Sequence, residues 1–233
     1  MFEPENKISS MNKILRAGDR ENFSEGAFSF VSKIREHKPF LLTAAFLSSV
    51  DYTVLFGYPV GFMNEFMMEM IEKDEETTVK NIERFKKLCE QNDIEYRIHN
   101  DVGDNALEEL KKETRFADLL IIGSELFYKN TANKPLNESL LNILHHTECP
   151  ILLVPEKCNF PQNTILTYDG SESSVYAIKQ FSYLFPELHN RPTTLVYSND
   201  EKEEIPHHLY IEELVARHYN NLSLLKLDVN PHD

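Results

Sequence analysis

The sequence predicts an α/β protein, an open parallel sheet with helices on both faces, and three observations point there. Continuous apolar runs occur at Phe40 to Phe46, Leu119 to Ile122, Ile151 to Val154 and Thr193 to Tyr197. Runs without alternation suit strands buried on both faces. Segments with apolar residues spaced by three or four lie between them, as amphipathic helices require. Finally, one local pattern occurs twice. Ile14-Leu15-Arg16-Ala17-Gly18-Asp19 near the start and Ile165-Leu166-Thr167-Tyr168-Asp169 later are each an apolar strand that ends in an aspartate and turns into a helix. A self-similar unit of this kind implies two copies of one domain.

Taken in order, the first strand ends at Asp19, and Asn22 with Glu25 has the spacing of a capping box opening a helix. Strand 40–46 follows. The longest helical segment, Gly61 to Asn92, carries Met63, Phe66, Met67, Met70, Ile71, Val79, Ile82, Phe85 and Leu88 at helical spacing. After a strand from Glu95 to Asn100, Asp104 can cap a helix bearing Ala106, Leu107 and Leu110. Strand 119–122, a helix over Leu136 to His146 and strand 151–154 complete five strands. Such alternation implies right-handed crossovers and a parallel sheet. The first domain is therefore expected over 1–155, a linker over 156–162, and the N-terminal half of a second, incomplete domain over 163–233. That half reads strand 164–169, helix 172–185, strand 193–198, helix 206–220 and strand 222–229. Half a parallel sheet would expose an unpaired edge. The expectation is a longer parent chain, with completion by another chain as the alternative.

Composition narrows the function. Of 233 residues, 41% are hydrophobic and 27% charged, as in a globular protein. A net charge of −14 argues against a nucleic-acid surface, which needs clustered Lys and Arg. No apolar stretch approaches the roughly 20 residues of a membrane span. The start Met1-Phe2-Glu3-Pro4-Glu5-Asn6 lacks a signal-peptide pattern. An odd count of three cysteines does not suggest a disulfide framework. A reducing, cytoplasmic setting is expected. No Gly-x-Ser-x-Gly elbow, Walker loop, His-Glu-x-x-His or Cys-x-x-Cys is present, so no enzymatic activity is expected.

The segments Ile14-Leu15…Asp19, Gly103-Asp104, Ala117-Asp118-Leu119-Leu120-Ile121-Ile122-Gly123-Ser124 and Cys149-Pro150-Ile151-Leu152-Leu153-Val154-Pro155, with Asp169-Gly170-Ser171-Glu172-Ser173-Ser174, resemble the universal stress protein family in its tandem form. The resemblance implies a Rossmann-like, adenine nucleotide alpha hydrolase-like fold with strand order 3-2-1-4-5. It also implies ATP or another adenine nucleotide as the possible cofactor. Asp19, Gly123 and Ser124, and Asp169 in the second copy, are the implied nucleotide-binding residues. In the family a glycine-rich loop after the fourth strand takes the phosphates, because bare backbone N–H groups attract anions. Here Leu126 stands at the second glycine position. Leu136-Asn137, or Asn137-Glu138 counted from the other side, replaces the closing Gly-Ser. The first domain is thus expected to bind ATP weakly or not at all by that mode.

Each highlighted residue also has a plainer role. Asp19 and Asp169 can simply cap the turn that follows. His145, His146 and Cys149 could suggest zinc, but Cys149 entering an apolar strand and histidines at a helix end read as structural; no metal is expected. Met63, Met67, Met68 and Met70 suit a core or a domain-domain or dimer surface. Glu72 to Glu76 reads as a solvated face. The expected protein is a stress-response binding or regulatory module. A homodimer or intramolecular tandem pairing is expected, with the strand Ile151 to Val154 as the pairing edge. An ATP-binding or weakly ATP-hydrolysing protein, and a nucleotide-independent dimeric scaffold that recruits a protein partner, are the alternatives.

Overall fold

The computed structural model describes residues 13–19, 23–47, 65–99, 106–124, 145, 147–198 and 205–227. At 18, 19, 47, 65–71, 73, 74, 106, 107 and 109 it describes the backbone only. The chain divides into two compact units, Met11–Asn159 and a second one that holds Phe160–Asp233.

In the first unit the elements run β1 (Lys13–Asp19), α1 (Glu25–Arg35), β2 (Leu41–Leu47), α2 (Glu65–Gln91), β3 (Glu95–His99), α3 (Ala106–Arg115), β4 (Leu119–Gly123) and β5 (Ile151–Val154). The sheet is all parallel with order β3-β2-β1-β4-β5, so β1 is central and β5 lies at an edge. Both faces of its middle strands are buried, which is why those strands read as unbroken apolar runs. One face packs Leu15, Ala17, Ala45, Leu120 and Ile122 against Leu110 of α3. Toward α1 and α2, Phe85 stands edge-on to Phe28, Phe46 and Tyr96, with ring centroids 5.7–6.3 Å apart. Arg35 Nη2 fixes the end of α1 to the turn before β3 through Asp93 Oδ2, at 2.7 Å.

Three local expectations change. The N-cap of α1 is Ser24, whose hydroxyl accepts the Ala27 N–H at 3.2 Å; Asn22 lies outside the described residues. Within the described side chains of α2, the buried stripe is Thr78, Asn81, Phe85 and Cys89, while Val79 is 55% exposed. The phase set by Phe85 and Cys89 turns Val79 outward. The residues 156–159 group with the first unit. The helix over 136–146, the Asp104 cap and the methionine cluster lie outside the described residues or side chains.

The second unit runs β6 (Thr164–Tyr168), α4 (Glu172–Leu184), a 3-10 turn (Pro186–Leu188), β7 (Thr193–Ser198), α5 (His208–His218) and β8 (Leu222–Leu227). Its sheet is parallel with order β6-β7-β8, the order of β1-β2-β3. Leu166, Tyr168, Leu195 and Tyr197 face Ile178 of α4 and Ile211 and Val215 of α5. The opposite face is open: burial alternates along β6, and Ile165 is 70% exposed. The run 193–197 is therefore buried on one face, not two. Both described helices of this unit pack with the same apolar cluster, so the alternate residues meet none. Under α4, Ser182 Oγ is 3.0 Å from Tyr219 Oη and donates to the Ile178 carbonyl at 2.8 Å.

Candidate functional site

Parallel strands point their C-terminal ends to one side of the sheet, where loops open into helix N-termini. β1 and β4 are neighbours, so Asp19 and the pair Gly123-Ser124 arrive together at that edge. Asp19 ends β1; its side chain lies outside the described atoms. Gly123 is buried and packs against the α1 cap: a Cβ there would lie 2.6 Å from Ser24 Oγ. Ser124 donates its N–H to the Val154 carbonyl at 2.8 Å. The loop over 125–144, including Leu126 and Leu136-Asn137, lies outside the described residues.

The same edge holds a cluster that sequence reading missed. Glu156, just after β5, sets its carboxylate on the N-terminus of α1, where Oε2 accepts the Glu25 and Gly26 N–H groups at 3.0 and 3.2 Å. An anion is favoured there because the first N–H groups of a helix lack intrahelical partners. Gly26 makes room: a Cβ would overlap the Pro155 carbonyl and sit 2.6 Å from Glu156 Cα. Below lies Arg16, 2% exposed, in the middle of β1. Among the described residues its Nε and Nη2 have no hydrogen-bond partner. Its guanidinium carbon stands 4.3 Å from the centre of the Phe23 ring, and Arg84 approaches the same ring at 5.0 Å while pairing with Glu25.

Burial holds the Arg16 guanidinium down at about 10, against the pull of Cys89, Glu25 and Glu156. Burial also pushes the Cys89 thiol up to about 12, so at neutral pH it carries no charge. The negative charge near Arg16 therefore comes from the two glutamates. The signal that could have found this cluster is Arg16 itself, a cation amid Ile14, Leu15 and Ala17 in a strand with two buried faces.

In the second unit, Asp169 follows β6 and is exposed. Its Oδ1 accepts the Ser171 N–H at 2.8 Å. Hydrogen bonds from the Ser171 hydroxyl and amide and from the Ser174 hydroxyl hold its carboxyl down at about 2. Ser171 in turn caps α4, accepting the Ser174 N–H at 3.1 Å. Between them Gly170 adopts φ +86°, a conformation that favours glycine.

Beside this turn a cleft of about 510 Å³ opens between α4 and α5. Tyr168, Gly170, Ser171, Tyr176, Lys179 and Tyr210 are among the residues that line it. Tyr210 is 76% exposed. His207, also in the lining, holds φ 53° at the start of α5 without a side-chain cap bond. Left-handed backbone at a non-glycine residue stores strain and clusters at ligand sites. Asp169 borders the cleft through its neighbours and is not part of the lining.

His145 is exposed, while Cys149 packs beside the cluster of Leu15 and Leu120, and burial pushes its thiol up to about 12. Among the described residues no three His, Cys, Asp or Glu side chains group as metal ligands. No described helix is long and apolar enough to cross a membrane.

No family model and no curated protein matches the sequence. Solved structures do match. A universal stress protein from Archaeoglobus fulgidus DSM 4304 superposes with a TM-score of 0.65 at 14% identity, covering 95% of this chain and 80% of its own. Another from Archaeoglobus fulgidus gives 0.40 at 12% identity over 61% and 93%. One solved in complex with dAMP, from the same organism, gives 0.34 at 11% identity over 62% and 97%. The described strand order and the first of these superpositions agree: the chain has the fold of the universal stress proteins.

Proposed function

We propose that the chain is a universal stress protein-like binding and regulatory module of the cytoplasmic stress response. In this reading it has no enzymatic activity and takes an adenine nucleotide in the second unit, not by the usual phosphate loop of the first. The cleft of about 510 Å³ carries the reading. Its size falls in the range of small-molecule sites, and its lining mixes apolar walls with a few polar groups. Tyr176 and Tyr210 offer ring faces for a purine, and Lys179 offers a cation for phosphate. In the first unit the sequence lacks glycine at 126 and at 136–137, and the neighbouring helix N-terminus already holds the Glu156 carboxylate.

Titration of the intact protein with Mg-ATP, followed by thermal unfolding and calorimetry, tests this. A ligand at about 100 times its Kd stabilises by about 2.7 kcal/mol. Lys179→Ala and Tyr210→Ala are expected to remove the effect together. A melting curve indifferent to ATP, ADP and AMP sinks the nucleotide reading, and sustained phosphate release from ATP sinks the non-enzymatic one.

A second reading rests on β5. It is the edge of its sheet, with Leu153 41% exposed, and an apolar edge invites pairing with another copy. A scaffold that dimerises there is expected to become monomeric on Leu153→Lys, with no dependence on nucleotide. Sedimentation that is unchanged by this substitution rejects it.

A further inference from the structure

The α1 N-terminus is already used as an anion site by the protein itself. Glu156 fills it, taking the Glu25 and Gly26 N–H groups at 3.0 and 3.2 Å. What Glu156 does not do is satisfy Arg16. That guanidinium is 2% exposed, and among the described residues its Nε and Nη2 are without hydrogen-bond partners. A buried guanidinium with free N–H groups is destabilising unless an anion meets it. The surroundings supply little: Cys89 is neutral, Glu25 is engaged by Arg84, and Phe23 covers the guanidinium with its ring. Two residues beside it have no side chain, Gly26 in the first turn of α1 and Gly123 at the end of β4, next to Ser24. The space filled by the Glu156 carboxylate is therefore bordered by bare backbone.

We propose that the first turn of α1 and Arg16 beneath it form a binding site for a phosphate dianion, with Glu156 as the intramolecular occupant that this ligand displaces. The arrangement has the parts that such a ligand needs. Backbone N–H groups at a helix start bind phosphate without a side chain. The guanidinium adds a fork of donors suited to two oxygens. A dianion brings more charge than the carboxylate it replaces, and Arg16 is the group that would sense the difference. As Glu156 leaves, the segment after β5 comes off the helix, and the Phe23 ring must turn aside for contact with Arg16. This site lies on α1 and β1, not in the cleft between α4 and α5, and it requires no adenine.

The test uses the intact protein, titrated with inorganic phosphate and separately with methyl phosphate at constant ionic strength. Calorimetry gives the affinity and the Glu25 and Gly26 amide resonances give the place. Wild type is expected to bind weakly. Glu156→Gln, which keeps the shape and removes the competing charge, is expected to bind about tenfold tighter, with both amides shifting. Adding Arg16→Met to it is expected to lose at least that tenfold gain. Tighter methyl phosphate assigns a phosphomonoester, and tighter inorganic phosphate assigns the free ion. Affinity in Glu156→Gln no better than in wild type, a Gly26 amide that does not move, or affinity indifferent to Arg16→Met overturns the proposal. Should Arg16→Met not fold, the first two readouts decide it. Adenosine, which lacks phosphate, shifts only resonances of the second unit if the nucleotide cleft is real, so the two readings fail separately.

Discussion

Gly26→Ala sets two opposing magnitudes against each other. By helix propensity alone the substitution stabilises α1, since alanine is favoured over glycine by about 1 kcal/mol inside a helix and by less in its first turn. The structure predicts the opposite sign. A methyl group at 26 would overlap the Pro155 carbonyl and stand 2.6 Å from Glu156 Cα and 2.8 Å from the Pro155 carbonyl carbon. Carbon atoms prefer about 3.5–4.0 Å, so the backbone at 155–156 must retreat by about 1 Å. Overpacking of that kind costs about 1–3 kcal/mol. The retreat also lifts the carboxylate from the Glu25 and Gly26 amides, and a lost helix cap costs about 1 kcal/mol. The net expectation is a loss of about 2 kcal/mol, or about 4–8 °C in the melting temperature of a unit this size.

Thermal unfolding measures the total, and amide hydrogen exchange along α1 assigns it to this unit. In a Glu156→Ala background the cap is already gone, so Gly26→Ala should cost less there than in wild type. A Gly26→Ala protein as stable as wild type or more so would refute the packing argument, and equal costs in the two backgrounds would refute the link to Glu156.

Further expectations concern single charges. Arg16→Met should raise stability by about 1 kcal/mol, because it removes a buried guanidinium with two unpaired nitrogens and forfeits its contact with Phe23 and the attraction of Glu25 and Glu156. Since Arg16 titrates at about 10, its charge is constant at neutral pH and the gain should be flat there; a loss of stability in urea unfolding rejects this. Asp169→Asn addresses acid. The folded carboxyl sits at about 2, below the ordinary Asp value, so its contribution is present above that ordinary value and lost as pH falls toward about 2. Asp169 is exposed, so solvent keeps the effect below about 1 kcal/mol. Melting temperatures of wild type and Asp169→Asn should converge on acidification, and curves that stay parallel count against it.

What was legible in the sequence was whatever local chemistry decides. Ile151–Val154 reads as a strand from four apolar residues after a proline, and those are the residues of β5. The Asp-Gly-Ser turn reads as a turn and a helix start because glycine and serine at those places do one thing each. Adjacent alternatives are harder: Asn22 and Ser24 are both good caps, and only the placement of Ala27 selects Ser24. Burial of one face of 193–197 was hidden because Thr193, Leu195 and Tyr197 are no more apolar as a set than their neighbours. Of the cluster of Arg16, Gly26 and Glu156, only Arg16, a cation amid apolar strand residues, left a trace in the sequence. Glu156 after a proline looks like a solvated loop residue, and nothing local says that its partners are helix amides far back in the chain. The cleft residues Tyr176, Lys179 and Tyr210 likewise read as ordinary solvated helix positions until α4 and α5 are set side by side.

The cap on α1 has a consequence for how this protein is made. Glu156 and the Glu25 amide are separated by 131 residues, so the helix is translated early and receives its cap late. The edge strand β5 arrives just before it. A nascent chain emerging from the ribosome can form β1, α1 and β2 and still lack the carboxylate that finishes the helix. Long-range closure of this kind slows folding and leaves partly formed states exposed. The first unit should become resistant to protease only when residues just past Cys158 have cleared the exit tunnel, in one late step rather than gradually.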